Sequence, residues 1–137
     1  MRVRFAVPPE VAFDYLVDPR NRPEWQSSLV AVEGVTGDPR VGQRWVDVTK
    51  PRLRPAMETV VLDRPERWTE TGTWHGFSAE LTLEFHEAGH ECDVAVTMGL
   101  SGRGAARPVA AALTLVSPYA VRSDLRRAAR ILADRHH

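Results

Sequence analysis

Residues 78–100 read SAELTLEFHEAGHECDVAVTMGL, and this stretch decides the fold class. Ala79, Leu81, Leu83 and Phe85 alternate with Glu80, Thr82, Glu84 and His86. After the short break EAGH, the row Cys92, Val94, Val96, Met98, Leu100 alternates with Asp93, Ala95 and Thr97. A period of two puts successive side chains on opposite faces of a strand. The pattern therefore predicts two antiparallel strands joined by a hairpin, with one face buried and the other wet.

The same chemistry recurs upstream. QRWVDVTK (Gln43–Lys50), AMETVVLD (Ala56–Asp63) and RWTETGTW (Arg67–Trp74) are separated by PRLRP and RPE, and HGF parts the last from Ser78, the spacing of a meander joined by hairpins. SSLVAVEGVTG, from Ser27, is a further strand, and RVRFAV (Arg2–Val7), stopped by Pro8-Pro9, opens the chain as another. Between those two, PEVAFDYLVD sets Val11, Ala12, Phe13, Tyr15 and Leu16 at helical spacing. Proline stands in its first turn and Glu10 at the positive end of the helix dipole. The following DPRNRPEW has room for one or two turns, with prolines that end one helix and restrict the next.

Beyond the glycine-rich joint SGRGAARP the chain turns helical. Val109, Leu113 and Val116 form one stripe and Val121, Leu125, Ala128 and Leu132 a second, with Pro118 where they fall out of phase, so a long helix kinked near Ser117-Pro118 is expected. The fold class is thus α+β: a curved antiparallel sheet of six to seven strands wrapped round a long C-terminal helix, with two short helices between strands 1 and 2. A sheet with one apolar face needs a cover, and only the terminal helix is long enough. A gap between a strongly curved sheet and one helix is a natural apolar pocket.

At 137 residues and 43% hydrophobic, the chain fits a single domain spanning residues 1–137. Eighteen basic residues balance eighteen acidic ones, so no electrostatic grip on nucleic acid or an anionic membrane is expected. All the basic residues but Lys50 are arginine, from which no function follows. Cys92 is the sole cysteine, which excludes an intrachain disulfide and a thiolate zinc cluster and suggests a reducing compartment. No stretch approaches the length of a membrane span, and a cytoplasmic protein is the expectation.

The stretches VPPEVAFDYLVDPRNRPEWQSSLVAVE, VGQRW, VVLDRPERW, AELTLEFHEAGHECDVAVTM and DLRRAARIL together resemble the START-like, or SRPBCC, superfamily, and in particular its polyketide cyclase/dehydrase-like branch. The resemblance covers essentially the whole chain. Its most specific parts are the helix followed by DP…PEW, the Gly42 before the third strand and the proline-bearing hairpin before Trp68. It implies a helix-grip fold with a deep cavity between sheet and terminal helix. It further implies a lipid, polyketide, isoprenoid or other hydrophobic ligand, with catalysis in a minority of members. Catalytic residues vary too much among members for any motif to be carried over.

Read from the residues, strand parity puts Glu70 on one face with Trp68, Gly72 and Trp74, pointing into the cavity, and leaves Thr69, Thr71 and Thr73 outside. By the same parity Glu58 accompanies Val60 and Leu62, and Asp47 accompanies Trp45. An ionised carboxylate in an apolar cavity is costly, so it is paired with an arginine, protonated, or used as an acid/base. Arg44, Arg54 and Arg103 are the candidate partners. Glu70 and Glu58 are therefore the candidate catalytic residues, against the plainer reading of acids at the cavity mouth or in ordinary salt bridges. A one-residue register slip would put Glu70 in solvent.

Trp25, Trp45, Trp68, Trp74, Leu81, Leu83, Val94, Val96, Met98 and Leu113 are the candidate ligand-binding residues, with Trp25 either a lid-side wall or a core plug. His75 reads as a solvated turn histidine and His86 and His90 as hairpin residues outside the sheet. Cys92 reads as a small buried hydrophobe. GLSGRG lacks the Gly-Lys-Ser/Thr ending of a phosphate loop and reads as a rim to the cavity. No metal site and no cofactor are expected.

Three functions remain open on the sequence: binding of a small hydrophobic or polyketide-like molecule, a cyclase/dehydratase-type enzyme using a cavity carboxylate, and a protein-interaction or chaperone-cofactor module. The last rests on Val46, Val48, Met57 and Val61, some of which must face outward. A monomer or homodimer is expected, without stable membrane insertion.

Overall fold

In the computed structural model, which describes residues 1–102 and 117–136, β1 (Arg2–Phe5) leads into α1 (Pro9–Val17), a 3-10 turn (Pro19–Asn21) and α2 (Arg22–Trp25). Then follow β2 (Leu29–Glu33), β3 (Arg44–Thr49), β4 (Ala56–Asp63), β5 (Arg67–Trp74), β6 (Phe77–Ala88), β7 (Glu91–Gly102) and α3 (Pro118–His136). The strands form one antiparallel sheet in the order β1-β7-β6-β5-β4-β3-β2, a meander with β1 returned to the edge beside β7. This is the helix-grip arrangement: an open sheet wrapped on α3, with two short helices between the first strands.

The opening stretch of sequence behaves as its alternation predicts. Leu81 pairs with Met98, Leu83 with Val96 and Phe85 with Val94. Leu83, Phe85, Cys92, Val94 and Val96 are buried, whereas His86 and Thr97 are exposed. The β5–β6 turn is His75-Gly76, with φ of 46° and 83°, the left-handed pair that a two-residue hairpin requires. His75 is exposed there, its ring edge-on to Trp74.

Leu125, Ala128 and Leu132 on α3 join Val3 and Phe5 of β1, Ala12, Phe13 and Leu16 of α1, and the inner residues of β6 and β7 in one core. Phe13 meets Phe85 edge-on at 5.1 Å. Each such fully buried large side chain contributes roughly 1.5–3 kcal/mol relative to exposure. Ser117 caps α3, its hydroxyl accepting from the Ala120 N–H, with Pro118 at the first position. The helical stripe of Val109, Leu113 and Val116 expected before it lies outside the described residues, as does most of the joint after Gly102.

One strand departs from the expected parity. In β4, Met57 and Thr59 are buried and Glu58 is not, and the pairing with β5 shifts register between Thr59 and Val61. A bulge adds one residue and exchanges the faces on either side of it. Leu62 beyond the bulge therefore packs on the core while Glu58 before it points outward, where it pairs with the exposed Arg44 at 3.1 Å. Val48 and Met57 are buried and Val46 and Val61 half-buried, so the set expected to hint at a protein-binding face presents no exposed apolar row.

Candidate functional site

Arg22 stands where α1 and the 3-10 turn hand over to α2. Asp18 accepts from the Arg20 N–H, Asn21 donates to the Tyr15 carbonyl, and Pro23 occupies the second position of α2, so the segment's backbone is fixed by short-range bonds before any distant contact is made. Arg22 is 2% exposed. Its guanidinium is forked onto both carboxylate oxygens of Glu70, with the Nη2–Oε1 bond at 3.0 Å, and Nη2 also donates at 2.8 Å to Oε1 of Gln26, the residue that ends α2. Asp47 Oδ2 stands 3.7 Å from the same Nη2.

Three indoles enclose this charge. The Trp25, Trp45 and Trp68 ring centroids lie 5.8, 5.8 and 6.0 Å from the guanidinium carbon. Indole faces attract a cation, and more strongly when both are removed from water. Trp45 donates its N–H to Asp47 Oδ1 at 2.9 Å and Trp68 donates to Thr59 Oγ1 at 3.2 Å. The Arg22 Nε and Trp25 Nε1 donors are buried without a partner among the described residues.

Burial pushes the Asp47 and Glu70 carboxyls above their ordinary range, and the attraction of Arg22 offsets that only in part. Each carboxylate also raises the cost of ionising the other beside a single guanidinium. Each of the two carboxyls therefore holds its proton more tightly than it would in water. Cys92 is fully buried and its thiol is pushed up to about 11 by burial, the state of an inert hydrophobe rather than a nucleophile.

Above the cluster lies a cavity of about 120 Å³. Trp25, Met57, Trp74, Phe77, Leu81 and Met98 give it apolar walls, and Arg22, Asp47 and Glu70 line it as well. Gly72 also lines it, opposite Met57 in the sheet, and a Cβ there would stand 2.8 Å from the Met57 sulfur. The thioether thus occupies the space a larger residue would fill. Helix α3 closes the far wall with Val121 and Asp124, and Asp124 Oδ1 accepts from both the N–H and the hydroxyl of Ser27 (3.2 and 2.8 Å).

The sequence-based candidates divide accordingly. Glu70, Trp25, Trp74, Leu81 and Met98 line the cavity. Trp45, Trp68, Leu83, Val94 and Val96 are core residues that do not reach its lining. Glu58 is corrected outright to a surface ion pair, and Leu113 lies outside the described residues. Of the arginines expected to pair with Glu70, Arg44 holds Glu58, Arg54 holds Glu33, and Arg103 is outside the described residues; the partner is Arg22. Trp25 proves to be both wall and plug, 3% exposed, lining the cavity and packed in the core.

Arg22, Gln26 and Asp124 escaped the sequence reading. A signal existed for Asp124, a carboxylate three residues after Val121 and four before Ala128, on the apolar stripe itself. For Arg22 the only signal was its spacing of three from Trp25, in a chain rich in arginine. Among the described residues no group of His, Cys, Asp and Glu has the arrangement to hold a metal, and no helix is long and apolar enough to cross a membrane.

The family model described as polyketide cyclase/dehydrase and lipid transport matches residues 1–137. No curated protein matches the sequence significantly. Among solved structures, the chain is similar to norcoclaurine synthase from Thalictrum flavum in complex with dopamine and hydroxybenzaldehyde (TM-score 0.72, 10% identity, covering 100% of this chain and 86% of that one). It is also similar to protein XoxI from Bacillus cereus (0.72, 11%, 100% and 96%) and to protein MLL2253 from Mesorhizobium loti (0.70, 15%, 100% and 98%). At such identities the likeness is one of fold.

Proposed function

This chain belongs to the polyketide cyclase/dehydrase and lipid transport family, and on that premise we propose that its cavity binds a small, mostly apolar molecule. The observation that carries the reading is an apolar chamber floored by a buried polar cluster: Trp25, Trp74, Phe77 and Leu81 beside Arg22, Asp47 and Glu70. Apolar walls with a few convergent polar groups are what a small-molecule site requires, the walls supplying affinity and the polar groups orientation. The volume, about 120 Å³, is near that of an apolar cavity of ~150 Å³ that takes up benzene. One ring or a short branched chain fits within that volume.

Titration with single-ring aromatics, short isoprenoids and fatty acids, read by tryptophan fluorescence, tests this. Saturable quenching or a blue shift with the ring-sized compounds, weakened at least tenfold by Leu81→Trp, is the expected result. No response to any member of the panel overturns the reading.

A second reading, an enzyme of cyclase or dehydratase type, draws support from one feature: two buried carboxyls share one guanidinium, so one of them can keep a proton to donate. Glu70 is the acid/base in that reading. Its expected consequence is that Glu70→Gln lowers turnover of a linear polyketide substrate by at least a hundredfold while ligand binding survives; unchanged turnover removes it.

A further inference from the structure

The buried acids of the cavity lining are answered within the protein: Glu70 by Arg22, Asp47 by the Trp45 indole, and Asp124 by the N–H and hydroxyl of Ser27. Two donors of the same lining are not. Arg22 commits Nη1 and Nη2 to Glu70 and Gln26, and its Nε has no acceptor among the described residues. The indole nitrogens of Trp45 and Trp68 reach Asp47 and Thr59, whereas that of Trp25 has no acceptor among them either. The third buried side-chain atom in this condition, Gln43 Oε1, belongs to a residue outside the lining.

Arg22 and Trp25 are 2% and 3% exposed, and both line the cavity. They stand three residues apart on α2, the spacing that brings two side chains to one side of a helix, and the Arg22 guanidinium carbon lies 5.8 Å from the Trp25 ring centroid. The two N–H groups therefore belong to one small region of the wall. A buried donor without an acceptor forfeits the hydrogen bond that water gave it in the unfolded chain, and a ligand that brings the acceptor recovers it.

We infer that the molecule the cavity selects is a neutral, ring-sized carbonyl compound whose oxygen accepts from Trp25 Nε1 and Arg22 Nε. The inference rests on the ligand-binding reading and specifies its ligand class. A carbonyl oxygen offers two lone pairs and no proton, the complement of two donors. An ammonium group has no acceptor to offer. A carboxylate has, but it enters beside a guanidinium already engaged by Glu70, with Asp47 3.7 Å from Nη2, and a buried anion without its own countercharge is costly.

Three probes of one shape separate the cases: acetophenone; α-methylstyrene, in which a methylene replaces the carbonyl oxygen; and benzoate, all titrated at pH 7 by calorimetry. Hydrophobicity alone favours the hydrocarbon. The expected result is the reverse, with the ketone bound at least about tenfold tighter than its isostere and benzoate weakest. Trp25→Phe keeps a ring in the wall and removes the donor, and it is expected to cut the ketone's advantage at least about fivefold. In the parent protein the Trp25 indole N–H proton resonance is expected to move downfield with acetophenone and not with α-methylstyrene, a readout that does not depend on the variant folding. Hydrocarbon binding equal to or tighter than ketone binding overturns the inference and leaves the ligand-binding reading standing, as does a preference for benzoate. An indole proton unmoved by bound ketone, or an advantage undiminished in Trp25→Phe, also overturns it, by removing this donor from recognition. Binding of none of the three overturns the ligand-binding reading and the inference with it.

Discussion

Arg22 shows how much can hang on one residue. Its guanidinium answers Glu70 directly, stands near Asp47 and is ringed by three tryptophans. Removing one partner of a buried ion pair leaves the other uncompensated, at a cost of about 3–5 kcal/mol. Arg22→Leu is accordingly expected to lose stability of that order in urea unfolding. The combination Arg22→Leu, Asp47→Asn, Glu70→Gln recovers most of the loss, because no charge is then stranded; a single variant that loses under ~1 kcal/mol contradicts this account of the cluster. Arg22→Lys falls between, keeping the charge but losing the fork that grips two oxygens.

Between elements, the sheet sets the cavity's size through Gly72 and Met57, paired across β5 and β4. Since a Cβ at position 72 would collide with the end of a flexible side chain, Gly72→Ala displaces the Met57 thioether rather than the backbone. The expected result is a destabilisation near the lower end of about 1–3 kcal/mol with a several-fold loss of affinity for ring-sized ligands. Met57→Ala in the same background restores the affinity by vacating the space. A variant that unfolds, or binds as tightly as the parent, argues against Met57 as the wall that sets size. The Ser27–Asp124 bonds join the turn before β2 to α3 across 97 residues of chain, so Ser27→Ala is expected to cost about 1–2 kcal/mol, read from the shift in urea midpoint.

For the molecule as a whole, the buried acids make stability depend on pH. Asp47 and Glu70 hold their protons more tightly folded than unfolded, from reference values of 3.8 and 4.5. The stability they contribute is full below those values and is lost as pH rises through the raised folded-state values. Unfolding free energy is therefore expected to decline from about pH 4 toward neutrality, and Asp47→Asn to flatten that decline, as urea titrations across the range will report. The exposed Arg4–Asp93 pair lowers the Asp93 carboxyl and acts in the opposite sense, but in solvent it contributes little. A wild-type profile that rises with pH over this interval contradicts the cluster's electrostatics.

The periodicities were enough for the architecture. Alternation at 79–85 and 92–100, the helical stripes at 11–16 and 121–132, and prolines at the joints each report a local preference that the packed molecule keeps. Glu70's inward direction followed from the same rule, since β5 runs without interruption from Trp68 to Trp74. Parity failed at Glu58 because a bulge is one extra residue in one strand, set by the fit of β4 to its neighbour and invisible in a period-two pattern. The partner of Glu70 was equally beyond reach: Arg22 and Glu70 are 48 residues apart, and only the packing of α2 against the sheet's inner face brings them together. Sequence by itself determined which segments become strands and helices, because those choices are made by neighbours in the chain. Which charges meet beneath the cavity was decided only by tertiary structure, because a buried charge takes its partner from whatever the fold places beside it.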